Sequence, residues 1–143
     1  MPKGDVRWFW GRGTNETDST DEARIIAVVN EANTSFAEGK FEQTCDCYTQ
    51  AVQRQIEARV RTPDCVQAWT MIHAHLRTSL TPDQFTALTS RSIAYVELKG
   101  ATAVAQYPAL PASLRGLPGL RDAIRIRMRK IDGDWKIDGL PSG

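Results

Sequence analysis

The hydrophobic period of this chain changes once, and that change sets what it can fold into. Up to about residue 90 the apolar residues recur at steps of three and four; from Ser92 onward they alternate. The first spacing lines up one face of a helix, the second one face of a strand. Ile25, Val29, Ala32 and Phe36 make the first helical stripe, over about 20–38. Ser19-Thr20-Asp21-Glu22 reads as its capping box, and Gly39 supplies a left-handed stop. Phe41, Cys45, Tyr48, Val52 and Ile56 continue as one second stripe. Pro63 sits at the opening of a third helix, with Thr62 as the expected cap and Cys65, Trp69, Ile72 and Leu76 as its stripe. Thr81-Pro82-Asp83 then opens a short fourth turn carrying Phe85 and Leu88.

The strand half is shorter. Ser92–Leu98 and Thr102–Tyr107 flank a turn at Lys99-Gly100. Ala123–Ile131 is the clearest strand, because Ile124, Ile126 and Met128 alternate with Arg125, Arg127 and Arg129. Asp132-Gly133-Asp134 is a tight turn into a last strand, Trp135–Asp138. Between the second and third strands, Pro108 to Leu120 is an irregular apolar loop whose leucines plug the open end of the core in the simplest reading; a lid or a docking segment is the alternative. Three helices followed by an antiparallel meander predict an α+β fold with the helices on one sheet face. The length of 143 residues fits one domain, over 20–140, with 1–19 as a flexible tail.

Composition narrows the function. Eighteen basic residues against 17 acidic ones leave a net charge of +1, so an overall basic nucleic-acid binder is disfavoured. No apolar run reaches the roughly 18 residues a membrane span needs. Trp8-Phe9-Trp10 beside Arg12 reads either as an aromatic cluster that caps an exposed edge of the domain or is disordered, or as a segment lying at a membrane surface. Positions 115–130 hold six basic residues and one acid. There Arg125, Arg127 and Arg129 are expected to form a solvated outer sheet face. As a binding surface it would suit an acidic partner or anionic lipid, and no aromatic residues interleave as nucleic acid would require.

One family combines these features. Gly39-Lys40-Phe41 between two helices, a third helix opened by a cysteine, the turn at Lys99-Gly100-Ala101 and the ending Asp132-Gly133-Asp134-Trp135-Lys136-Ile137-Asp138 resemble the nuclear transport factor 2-like superfamily. That group includes polyketide cyclases of the SnoaL type, ketosteroid isomerases and many noncatalytic bacterial domains. The resemblance covers about 20–140. It implies a curved sheet wrapped around helices into a cone-shaped roll with a pocket. The subgroup most resembled is the noncatalytic, extracytoplasmic, often membrane-tethered set, which implies a Cys45–Cys65 disulfide. Family members often dimerise through the sheet. Here the arginine ridge would bring like charges together, so a homodimer needs acidic counterparts or another face.

Helical geometry is compatible with that pairing. Residues two positions apart on a helix point about 200° apart, so Cys45 and Cys47 cannot reach each other, whereas the stripes carrying Cys45 and Cys65 are expected to face one another. Cys47 is then free. Three buried thiols in a reducing compartment is the alternative.

The same geometry bears on chemistry. His73 and His75 cannot grip one ion, and Trp69, Arg77, Met71 and Ser79 one turn away are no better, so no metal and no cofactor are expected. His73 borders the buried face, where it can line a pocket with Asn33, Tyr48 and Trp69. In the bland reading it is a packing residue; in the catalytic one His73 and Tyr48 are an acid–base pair. Glu97 alternates away from Ala94, Val96 and Leu98, so it does not supply the inward carboxylate of an isomerase. The expectation is therefore a binding or assembly domain outside the cytoplasm, near a membrane, that takes a protein partner or a small apolar ligand. The alternative is a small pocket enzyme of the cyclase or isomerase type.

Overall fold

A computed structural model describes residues 16–112, 114 and 124–140. Among these residues, five helices precede a four-stranded antiparallel meander, so the α+β class read from the periodicity holds. The helices are α1 (Glu16–Glu38), α2 (Phe41–Asp46), α3 (Gln50–Val60), α4 (Cys65–Ser79) and α5 (Pro82–Thr89). The strands are β1 (Tyr95–Lys99), β2 (Thr102–Gln106), β3 (Arg125–Ile131) and β4 (Asp134–Ile137), in the spatial order β1-β2-β3-β4.

The expected stripe of α1 is its buried face: Ile25, Val29, Ala32 and Phe36 are all in the core. The helix starts at Glu16, a turn earlier than the capping box implied, and it stops at Gly39 with φ +79°.

The single second helix is corrected to two. The backbone leaves helical geometry at Cys47-Tyr48-Thr49 because the edge of β4 claims it. Ile137 N–H donates to the Cys47 carbonyl at 2.7 Å and Thr49 N–H donates to the Ile137 carbonyl at 2.9 Å, bracketing a parallel bridge from Tyr48 to Ile137. Thr49 then restarts the helix as the cap of α3, its hydroxyl accepting from Val52 N–H. Tyr48 therefore sits between helices while Val52 and Ile56 still reach the core.

Asp64, rather than Thr62, caps α4, accepting from Gln67 N–H at 3.1 Å. Thr62 instead donates its hydroxyl to the Gln67 side chain at 2.9 Å. Thr81 forms a capping box with Gln84, and with Pro82 behind it the fourth turn becomes a full helix, α5.

In the sheet, Ala105 pairs with Val96 and Ile126, and Met128 with Ala103 and Ile137. That register puts Ala103, Ala105, Ile126, Met128, Trp135 and Ile137 on the buried face under α1. Asp132 and Gly133, with φ of +52° and +88°, form the two-residue turn between β3 and β4. Two apolar clusters result. One lies between α1 and the sheet; the other, built on Phe36, Cys45, Val52, Ile56, Cys65, Ala68, Trp69 and Phe85, lies among the helices. The Tyr48 ring packs against both.

Candidate functional site

The residues singled out for a pocket fall into two neighbourhoods. His73 is wrapped by three phenylalanines, with ring centroids at 5.3 Å from Phe36, 5.3 Å from Phe41 and 5.4 Å from Phe85, each met edge to face. Its Nε2 is shielded from water and meets no hydrogen-bond partner among the described residues. Tyr48 and Trp69 pack ring on ring at 5.3 Å, and Trp69 meets Phe36 at 5.4 Å. Burial drives the Tyr48 phenol far above its ordinary value, and the neighbouring Tyr107 adds to the effect. A phenol so placed holds its proton at any physiological pH.

Asn33 belongs to the other neighbourhood. From α1 it donates through Nδ2 to the Tyr107 hydroxyl at 2.8 Å. Tyr107 follows β2 directly and is itself buried. The guanidinium of Arg91 lies over the Tyr107 ring, Cζ to centroid 3.9 Å. Burial lowers the Arg91 pKa and raises that of Tyr107; the Asn33 hydrogen bond and the arginine charge oppose the rise at Tyr107. Arg91 Nη2 is shielded from water and finds no acceptor among the described residues, and the same holds for Trp69 Nε1. Sequence reasoning missed Arg91 and Tyr107. Arg91 sits in Ser90-Arg91-Ser92, outside both periodicities, and Tyr107 looked like a strand end before Pro108.

A buried carboxylate was missed as well. Asp21 accepts from the Trp135 indole N–H and from the Lys130 ammonium, both at 3.1 Å. Those two hydrogen bonds hold its pKa below the usual carboxylate range, so it is ionised and fully engaged in tying α1 to the β3–β4 hairpin. The only sequence signal was a helix-start acid, which concealed a tertiary role.

Cys45 and Cys65 are joined in a disulfide between α2 and α4, with their α-carbons 6.2 Å apart. Cys47 is free and buried, its thiol donating to the Gln43 carbonyl at 3.3 Å. Burial, with Glu31 second, pushes that thiol up to about 11, which keeps it protonated and a poor nucleophile near neutral pH. It borders a groove of about 670 Å³ between α1, α2 and the β3–β4 hairpin, where Arg24 and Lys136 mix with Glu31, Asp46 and Asp134.

Arg125, Arg127 and Arg129 stand on the outer sheet face and are exposed, as the alternation required. Arg129 pairs with Asp138 at 3.0 Å. Arg127 lies flat against Gly139, where an added β-carbon would come within 2.7 Å of its Nε. Leu110 and Leu114 of the apolar loop are buried in the core. Leu117, Leu120, Arg115 and Arg121 lie outside the described residues, as do Trp8-Phe9-Trp10. Among the described residues no group of three or more His, Cys, Asp or Glu side chains is arranged to hold a metal ion. No described helix is long and apolar enough to cross a membrane.

Set against known proteins, the chain matches no family model, no curated protein and no solved structure.

Proposed function

We propose that this chain is a binding domain of the nuclear transport factor 2-like type, working in an oxidising compartment and taking a small, largely apolar ligand between α1 and the sheet. The observation that carries this reading is the Asn33–Tyr107–Arg91 cluster: two half-buried polar side chains meeting at the buried Tyr107 on the border of an apolar layer, the kind of make-up a ligand site has. The order of elements and the Asp-Gly-Asp-Trp hairpin support the family assignment. The Cys45–Cys65 bond supports the compartment, since such bonds persist where thiols are not kept reduced. The alternative of a cyclase or isomerase asks His73 and Tyr48 to exchange a proton. Their ring contacts run to different partners, and the Tyr48 phenol is held protonated by burial.

Titration with Nile red, a neutral apolar dye, tests the reading. One saturable site, weakened in Asn33→Leu, is the expected result; no saturable binding would remove the ligand-binding function. For the compartment, protein isolated from its native source and denatured without reductant is expected to show a single reactive thiol, and three would place it in a reducing environment.

A further inference from the structure

The polar cluster has spare hydrogen-bond donors on Arg91 and Tyr107, and this limits what it can hold. Because the Tyr107 oxygen accepts from Asn33, the phenolic hydrogen is left to donate outward. Above the same ring, Arg91 presents an N–H on Nη2 that meets no acceptor among the described residues. A buried donor without an acceptor is costly, and more so when it carries charge. Asp21, the buried carboxylate nearest in kind, is taken up by Trp135 and Lys130. Among the described residues the cluster thus has one positive charge and spare donors but no anion.

We propose that Arg91 and Tyr107 form the head-group site for an apolar monocarboxylate, the Arg91 N–H and the Tyr107 O–H each donating to the carboxylate. This rests on the binding function proposed above and specifies its ligand class. A single cation matches a single negative charge, which favours a carboxylate over a phosphate carrying two. The planar guanidinium suits a planar, two-oxygen acceptor. Stacking on Tyr107 fixes the plane of the guanidinium before any ligand arrives, so little is lost in ordering it.

Calorimetric titration with octanoate and with octan-1-ol separates the head group from the tail. Charge-assisted hydrogen bonds predict that octanoate binds roughly ten- to a hundredfold tighter than the alcohol. Arg91→Met is expected to erase that preference by weakening octanoate far more than the alcohol, and Arg91→Lys to restore part of it. Tyr107→Phe is expected to reduce the preference by about two- to tenfold. Melting curves of each variant show that it is folded. Equal affinity of wild type for the two compounds would overturn the carboxylate site and leave the apolar one standing; so would a preference that survives in Arg91→Met. Competition by inorganic phosphate as effective as that of octanoate would overturn the ligand class. Binding of neither compound would overturn both this proposal and the binding function beneath it.

Discussion

Asp21 shows how much one side chain can organise. It is nearly buried on the first helix, yet its two hydrogen-bond partners come from the last hairpin, more than a hundred positions away in the chain. Its folded pKa lies below its unfolded one, so its contribution is complete above about pH 4 and is lost as the pH falls through the lower, folded value. Asp21→Asn is expected to lower the melting temperature at pH 7 and to flatten the acid limb of the stability profile below about pH 4, as read by thermal melts across pH. Cys47 permits a second test at this scale. With its thiol raised to about 11, folded protein is expected to react with iodoacetamide at neutral pH far more slowly than denatured protein, by mass spectrometry of the labelled chain.

At the scale of elements, the junction between α2 and α3 is the most informative. Thr49 is buried, caps α3, and holds the Asp138 carboxylate through its hydroxyl at 3.0 Å. Thr49→Ala is expected to cost about 1 kcal/mol in denaturant unfolding, the usual worth of a cap. The Cys45–Cys65 bond on either side of that junction closes a 20-residue separation, and Cys45→Ser with Cys65→Ser is expected to cost roughly 3 kcal/mol. These elements also mark what was legible in the sequence. The α1 stripe, the Arg125–Arg129 alternation and the Asp132-Gly133 turn each express a local period or backbone preference, and each stands where the sequence placed it. Phe41 to Ile56 also keeps a helical period, but the hydrogen bonds that break it come from Ile137, which no local pattern records. Arg91 was hidden for the same reason: its meaning lies in Tyr107 and Asn33, which only the folded sheet brings beside it.

At the scale of the whole molecule, one ring packs on both apolar clusters of the described residues. Tyr48 packs on the sheet cluster and on the helical cluster alike. Tyr48→Ala is expected to lower stability by about 3–5 kcal/mol, as for a large buried aromatic, while Tyr48→Phe keeps the ring and stays within about 1.5 kcal/mol. Chemical denaturation followed by both tryptophan fluorescence and circular dichroism checks this. Coincident curves are expected for wild type and split curves for Tyr48→Ala, as the two cores lose their joint.

The pairing of residues 47–49 with Ile137 also governs timing. A chain leaving the ribosome cannot pair residues 47–49 until Ile137, some 90 residues later, has appeared. The junction between α2 and α3 therefore stays unpaired in the nascent domain until β4 is made.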